Sequence, residues 1–157
     1  AVADDTHLHM LEFVERKKLE DHVNRYRRQF NATVLPGDTK ALKLIRKEIA
    51  DYFAGKNLNF TSKIAGAGTE FQNQVWDELR KVPPGVTRSY QEMAQRIGRP
   101  TAMRAVANAN RLNRCAIILP CHRVIGADGA LTGYAGGLWR KQWLLDHERR
   151  HTGQTLL

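Results

Sequence analysis

The sequence has few cysteines and no long hydrophobic run. Its 157 residues include two cysteines, too few for a disulfide framework, and this favours a reducing, intracellular compartment. The longest apolar run, residues 116–121, is far shorter than the ~20 residues of a membrane-spanning helix. The start of the chain lacks a basic segment and carries Asp4 and Asp5 beside a short apolar stretch, so we expect no signal peptide. We therefore predict a cytoplasmic location of the bacterial type, or a nuclear one for a eukaryotic source.

The composition is that of an ordinary globular protein. Apolar residues make up 42% of the chain and aromatic residues 8%, which excludes intrinsic disorder. The length suffices for one core or for two small lobes. The chain does not begin with Met, and we expect processing or a larger parent protein.

Positive charge is concentrated in one part of the sequence. The chain has 25 Lys and Arg against 16 Asp and Glu, a net charge of +9. Residues 88–123 hold seven arginines, no lysine and one acid, and so carry +6 of that total. A run of charge is usually a solvated surface. The exclusive use of arginine instead favours phosphate contact, because a guanidinium offers two donors to one phosphate.

The N-terminal part has the pattern of a small α/β domain. Residues 7–14 and 58–64 predict strands, and residues 16–30 and 39–54 predict helices, the second of them amphipathic. The glycine-containing stretch 66–68 predicts a linker. We therefore expect a domain boundary at this point.

The second domain, residues 69–157, contains helical signals in quick succession. Capping boxes at residues 69–72 and 89–92 each predict the start of a helix. A turn at Gly98 joins the second of these helices to a third over residues 101–111, which gives a helix-turn-helix pattern. A plain helical hairpin is the commoner interpretation, but the arginine cluster favours DNA binding. The third helix is rich in alanine, so we expect weak base readout and approach from the minor-groove side.

The strongest local signal for chemistry is a cysteine next to a histidine. An apolar strand over residues 117–119 is predicted to deliver Cys121 beside His122. A lone cysteine is more often a buried core residue than a nucleophile, so the pair alone leaves that interpretation ahead. The spacing of Cys115 and Cys121 does not suit a zinc site, and we predict no metal.

Several segments together carry a specific resemblance. They are residues 120–124 (Pro-Cys-His-Arg-Val), 133–138 (Gly-Tyr-Ala-Gly-Gly-Leu) and 143–148 (Trp-Leu-Leu-Asp-His-Glu), with residues 71–76 and 89–92 upstream. In these motifs the chain resembles the O6-alkylguanine-DNA alkyltransferases, the methylated-DNA–protein-cysteine methyltransferases. The resemblance covers most of the sequence.

The resemblance implies a fold and an activity. The fold would be α/β, with a small ribonuclease-H-like N-terminal domain over residues 1–68 that has no catalytic role. Residues 69–157 would form a mostly helical, winged-helix-like domain that carries the helix-turn-helix. An alkylated guanine would be flipped out of double-stranded DNA, and Cys121 would take its O6-alkyl group once per molecule, as a monomer and without a cofactor.

The resemblance also assigns catalytic roles. His122 would be the base for Cys121, through a bridging water, because neighbours on an extended segment point apart. Glu148 would fix the imidazole tautomer and stabilise its charged form. Asn113 would tie the recognition helix to the active-site strand.

On the substrate side, Tyr90 would contact the flipped guanine, and Arg104 would fill the gap in the base stack. The backbone N–H of Ala135 would donate to O6, and the carbonyls of Cys121 and Val124 would accept from the guanine amino group. The remaining DNA- or substrate-binding candidates are Thr101, Ala105, Arg111, Arg123 and Tyr134.

Other function classes stay open on the residues alone. Related non-enzymatic damage binders have Trp at the nucleophile position, where this chain has Cys121. A helix-turn-helix regulator would need a base-reading helix and a dimer interface, and a Cys-His hydrolase would need an acyl substrate. Residues 113–116 lack the prolines frequent in the family, which changes the wall of the alkyl pocket. No cysteine precedes Cys115, so the zinc site of some relatives is not expected.

Overall fold

The computed structural model describes residues 1–66 and 68–153 and is mainly helical. Its helices are α1 (Leu19–Phe30), α2 (Lys40–Phe53), α3 (Glu70–Arg80), α4 (Tyr90–Arg96), α5 (Met103–Arg111) and α6 (Leu138–Thr152), with a short 3₁₀ helix at Cys121–Arg123. The antiparallel pair β1 (Val2–Ala3) and β2 (Leu8–Met10) forms one sheet, and the parallel pair β3 (Arg88–Ser89) and β4 (Val124–Ile125) forms another. The described chain is thus a mixed fold of helices and small sheets.

Side-chain caps fix where α3 and α4 begin. The Thr69 hydroxyl accepts from the Gln72 N–H at 3.3 Å, and the Gln72 side chain accepts from the Thr69 N–H at 2.9 Å. Ser89 and Glu92 make the same reciprocal pair at 3.1 and 2.6 Å. Both predicted capping boxes are confirmed.

Helices α4 and α5 pack against each other as the predicted helix-turn-helix pair. Gly98, with φ of 71°, provides the left-handed residue that the turn needs. The helix α5 begins at Met103 and not at Thr101. Thr101 lies in a preceding turn, in which the Ala102 N–H donates to the Arg99 carbonyl at 2.9 Å.

The largest core contains residues from both sides of the predicted domain boundary. Leu8 and Ile45 lie in the same buried cluster as Val75 and Val106. The predicted linker residue Ala67 and the chain end at residues 154–157 lie outside the described residues, and the boundary itself stays a prediction. Among the residues that are described, no helix is long and apolar enough to cross a membrane.

Two predicted strands in the N-terminal part are shortened or replaced. The segment 7–14 contains only β2, and within 58–64 the ladder is reduced to one isolated bridge between Leu8 and Ile64. The reason is that Glu48 takes the N–H groups of Thr61 and Ser62 at 2.6 and 3.2 Å, so they are not available to a neighbouring strand. The predicted helix over 16–30 begins later, at Leu19.

The predicted strand before the cysteine–histidine pair is wrong. Residues 116–118 form a turn in which Ile117 has a φ of 72°, an unusual value for a β-branched residue. The Leu119 N–H donates back to the Cys115 carbonyl at 3.0 Å, which closes the turn. The pair itself lies on the 3₁₀ helix and not on an extended segment.

Candidate active site

A cavity of about 950 Å³ opens beside α5 and the loop before α6. Its lining includes the predicted site residues Tyr90, Arg104, Arg111, Cys121, Tyr134 and Ala135. Cys121 is half-buried in its wall. The cavity therefore brings the predicted nucleophile together with most of the predicted substrate-binding side chains.

Asn113 holds the sulfur of Cys121. Its Nδ2 donates to Cys121 Sγ at 3.2 Å and to the Leu119 carbonyl at 2.8 Å, while its Oδ1 accepts from the Cys115 N–H at 2.8 Å. Asn113 is buried just after the end of α5. It joins the end of the helix to the turn that precedes the cysteine.

The surroundings of Cys121 favour the protonated thiol over the thiolate. Burial raises the pKa of the Cys121 thiol, although the hydrogen bond from Asn113 and the positive charge of Lys141 lower it. The thiolate is the nucleophilic form of cysteine. An adjacent base is therefore needed at neutral pH.

His122 follows Cys121 in the sequence and is paired with Glu148. The His122 Nε2 lies 2.8 Å from Glu148 Oε1, and both side chains are fully buried. An ionised carboxylate only accepts hydrogen bonds, so Nε2 carries the proton and Nδ1 does not. Nδ1 is buried and has no hydrogen-bond partner within the described chain. It is the nitrogen that can accept a proton.

Glu148 accepts hydrogen bonds at both of its oxygens. In addition to the hydrogen bond from His122, Oε1 accepts from Tyr52 Oη and from Arg123 Nη2, both at 2.8 Å. Oε2 accepts from Arg123 Nε at 2.9 Å and from the Gly85 N–H at 3.1 Å. Burial alone would raise the pKa of Glu148, but His122 and Arg123 hold it well below its ordinary value. Glu148 is therefore ionised.

The protonation of His122 follows from the same surroundings. Burial lowers the pKa of His122, although the hydrogen bond and the charge of Glu148 raise it. The pKa remains below its ordinary value, so the imidazole is neutral at neutral pH and can act as a base.

Arg123 is buried and does not reach the protein surface, so the prediction that it binds DNA is wrong. It is buried, with Nε and Nη2 on Glu148 and Nη1 donating to the Val82 carbonyl. A buried carboxylate needs a cationic partner, and Arg123 provides it.

The carbonyls predicted to bind the guanine amino group already accept one hydrogen bond each. The Val124 carbonyl accepts from Lys141 Nζ at 2.6 Å, and the Cys121 carbonyl accepts from the Val124 N–H. A carbonyl oxygen has two lone pairs, so each retains one acceptor site. Tyr134 has a buried hydroxyl without a partner in the described chain, and Ala135 is exposed.

The DNA-binding candidates on and before α5 are exposed. They are Thr101, Arg104, Ala105 and Arg111. Arg104 and Arg111 also line the cavity, whereas Thr101 and Ala105 do not. Arg111 donates to Asn108 Oδ1 at 2.9 Å. The opposite face of α5, which includes Val106 and Ala109, is buried.

Sequence reasoning missed Lys141 and Tyr52. Lys141 is fully buried; its Nζ donates to Val124 and to the Thr132 carbonyl at 2.9 Å, and burial lowers its pKa to about 8. The spacing of Lys141, Leu144 and Glu148 could have revealed it, because residues three, four and seven apart share one helix face. No sequence signal pointed to Tyr52.

Within residues 1–66 and 68–153, no three His, Cys, Asp or Glu side chains are grouped so that they could hold a metal ion.

Comparison with known proteins gives a consistent set of matches. The family model described as 6-O-methylguanine DNA methyltransferase, DNA binding domain, matches residues 70–150. A methylated-DNA–protein-cysteine methyltransferase of Mycolicibacterium paratuberculosis is 53% identical over 110 residues, 70% of this chain and 67% of the relative. The inducible methylated-DNA–protein-cysteine methyltransferase of Bacillus subtilis is 41% identical over 140 residues, 89% of this chain and 78% of the relative. The chain spans about two thirds of the length of several curated relatives.

Solved structures match as well. The crystal structure of Mycobacterium tuberculosis O6-methylguanine methyltransferase has a TM-score of 0.80 and 39% identity, and the match covers 95% of this chain and 84% of that one. A crystal structure of Mycobacterium tuberculosis OGT in complex with DNA has a TM-score of 0.70 and 48% identity, over 73% of this chain and 70% of that one.

Proposed function

The chain belongs to the family of methylated-DNA–protein-cysteine methyltransferases, DNA-repair enzymes that act by direct reversal, and we propose that Cys121 is the residue that accepts the alkyl group. One observation carries the proposal. Cys121 lies in the wall of an open cavity, next to a buried histidine that is paired with a buried carboxylate. Glu148 is therefore the carboxylate that orients the base, His122 is the base and Cys121 is the nucleophile.

The proposed reaction is a single displacement. The thiol proton of Cys121 passes to His122 Nδ1, directly or through water, and the sulfur attacks the alkyl carbon of O6-alkylguanine. A carbon–sulfur bond forms while the bond between the alkyl carbon and O6 breaks, and the proton ends on the departing guanine. Regeneration of Cys121 would require its thiolate to leave from a stable thioether, and a thiolate is a poor leaving group there, so Cys121 stays alkylated and each molecule reacts once.

Tyr90 and Arg104 are proposed to act when the guanine leaves the base stack, Tyr90 on the guanine and Arg104 on the duplex. A base inside a duplex cannot present its O6 substituent to a sulfur in the wall of a cavity, so the nucleotide must be extruded. Both side chains line the cavity that contains Cys121, which supports these roles. We place Tyr90 against the guanine and Arg104 in the gap that the base leaves.

The resemblance to the family supports several finer proposals. We propose that a monomer binds from the minor-groove side, and the small side chains on α5 support a close approach. We also propose the ribonuclease-H-like and winged-helix-like architectures for the two parts of the chain. A cytoplasmic location is proposed because Cys121 must remain a free thiol.

The proposal is tested by weighing the protein after reaction. Incubation with a duplex that carries one O6-methylguanine should add one methyl group, about 14 Da for replacement of a thiol hydrogen. Peptide mapping should place it on Cys121, with one equivalent transferred and no turnover. Cys115→Ser is the matched control and should still react, because burial raises the pKa of that thiol to about 12.

Two outcomes would contradict the proposal. Methylation of Cys115, or repeated turnover, would reject Cys121 as a single-use acceptor. Binding to alkylated DNA with no change in mass would instead favour a non-enzymatic damage binder. The Cys121→Ser variant should bind alkylated DNA without a change in mass, since it retains the cavity but loses the nucleophile.

A further inference from the structure

Tyr52, on α2, contacts the acid of the proposed active site, although residues 1–68 were expected to have no catalytic role. We propose that Tyr52 is a positioning residue for alkyl transfer, whose hydroxyl controls how strongly Glu148 holds His122. The inference rests on the proposed function of Cys121, and its test is designed so that the two can fail separately.

The contact is direct and fully buried. Tyr52 Oη donates to Glu148 Oε1 at 2.8 Å, and that same oxygen lies 2.8 Å from His122 Nε2. Arg123 Nη2 is a third donor to it. Tyr52 and His122 therefore share one acceptor atom.

The Tyr52 ring is held firmly from several sides. It packs against Phe60 and His147, with ring centroids 5.5 and 5.2 Å away, and belongs to a buried cluster with Leu58 and Leu144. The backbone carbonyl of Tyr52 lies 2.7 Å from His147 Nε2. Packing and hydrogen bonding thus fix the hydroxyl in place, as a positioning group requires.

Sharing an acceptor weakens each of the hydrogen bonds made to it. The Tyr52 hydroxyl stabilises the charge on Glu148 Oε1 and so reduces the pull of that oxygen on the His122 proton. Without the hydroxyl, Glu148 should bind the imidazolium form of His122 more strongly, and the pKa of His122 should rise. The other charged or titratable groups that face this pair are Arg123, Lys141 and Cys121. Tyr52→Phe leaves all three side chains in place, although Arg123 Nη2, a donor to the same oxygen, gains a stronger hydrogen bond as well.

The test is Tyr52→Phe, which removes one oxygen and keeps the ring. Nitrogen-15 NMR of the histidine rings should show the protonation midpoint of His122 raised by about 0.5 to 1 pH unit, a threefold to tenfold change in the equilibrium. The Nε2 proton of His122 should also move downfield, because its hydrogen bond to Glu148 shortens. The acidic limb of the single-turnover rate of methyl transfer should shift upward by the same amount, since His122 must be neutral to act as a base.

Leu58→Ala is the matched control. Leu58 lies in the same buried cluster but its side chain offers no hydrogen bond to Glu148, so this variant lowers stability without altering His122. An unchanged His122 midpoint in Tyr52→Phe, or an equal change in Leu58→Ala, would overturn the inference. If the parent protein failed to methylate Cys121 while the His122 midpoint still shifted, the proposed function would fail and the link from Tyr52 to His122 would stand.

Discussion

At the scale of single residues, Glu148 shows how the site combines burial with charge. An ionised carboxylate is costly to bury unless its charge is paired and its lone pairs are used. Here Arg123 supplies the countercharge, and Tyr52, His122 and Gly85 complete the hydrogen bonding. Glu148, the carboxylate proposed to position His122, is therefore also a structural centre, and its partners should affect stability as well as rate.

Arg123→Ala should destabilise the protein strongly. Removing one partner of a buried ion pair leaves the other charge uncompensated, at a cost of about 3–5 kcal/mol. The free energy of unfolding measured by urea denaturation should fall by this amount. Arg104→Ala is the control: its side chain is exposed, so we expect a change within about 0.5 kcal/mol. If Arg123→Ala lowered the free energy of unfolding by less than about 1 kcal/mol, other groups would have to stabilise the buried charge of Glu148.

The pairing of His122 with Glu148 could be predicted from sequence through the resemblance, but the direction of Arg123 could not. On an extended strand, residues two apart share a face, which would place Cys121 and Arg123 together toward DNA. The 3₁₀ helix instead has three residues per turn and separates successive side chains by about 120°. Cys121 then faces the cavity while His122 and Arg123 face Glu148. The local pattern did not reveal this turn, because Ile117 adopts a left-handed conformation that its side chain disfavours.

At the scale of elements, α5 combines a buried face with an exposed arginine beside the active cavity. Val106 and Ala109 are buried against the core, while Arg104 is exposed and lines the cavity. The existence of α4 and α5 was predictable because capping boxes and helical spacing are local signals. The start of α5 was not, since it depends on hydrogen bonds within the preceding turn.

Arg104→Ala should separate base extrusion from chemistry. Extrusion of a paired base costs a few kcal/mol, and a side chain that fills the gap offsets part of that cost. The variant should therefore slow repair in duplex DNA by about tenfold or more, the effect of ~1.4 kcal/mol, and should slow the reaction with free O6-alkylguanine base much less. Single-turnover rates on both substrates are the measurement.

Glu148→Gln serves as the comparison for Arg104→Ala. It weakens the activation of Cys121 whether the alkylated guanine is in duplex DNA or is a free base, so both substrates should react more slowly. Equal slowing of both substrates by Arg104→Ala would mean that Arg104 supports the pocket and does not fill the stack.

At the scale of the whole molecule, contacts that are distant in sequence tie the two predicted domains together. The Leu11 N–H donates to the Arg114 carbonyl at 2.8 Å, and the Ala116 N–H donates to the Leu11 carbonyl at 2.8 Å. Gly68, predicted as part of a linker, is closely packed: a Cβ there would lie 2.5 Å from the Trp76 ring. Glycine content marks a linker and a close approach equally well, so the sequence alone could not distinguish them. Tyr52 was missed for a related reason, since its partner Glu148 lies 96 residues away.

The shared core predicts that the whole molecule unfolds as one unit. Leu8 is fully buried and belongs to the cluster that contains Val75 and Trp76, beyond the predicted boundary. Leu8→Ala should lower the free energy of unfolding by about 2–5 kcal/mol. Far-UV circular dichroism reports the helices on both sides of residue 68, whereas all three tryptophans follow that residue. Because one core links the two parts, the fluorescence and dichroism transitions should shift together.

The control is Val14→Ala, at a position 86% exposed, which should shift neither transition. If dichroism moved while tryptophan fluorescence stayed in place, the N-terminal part would be unfolding by itself, and the contacts across residue 68 would contribute little to stability.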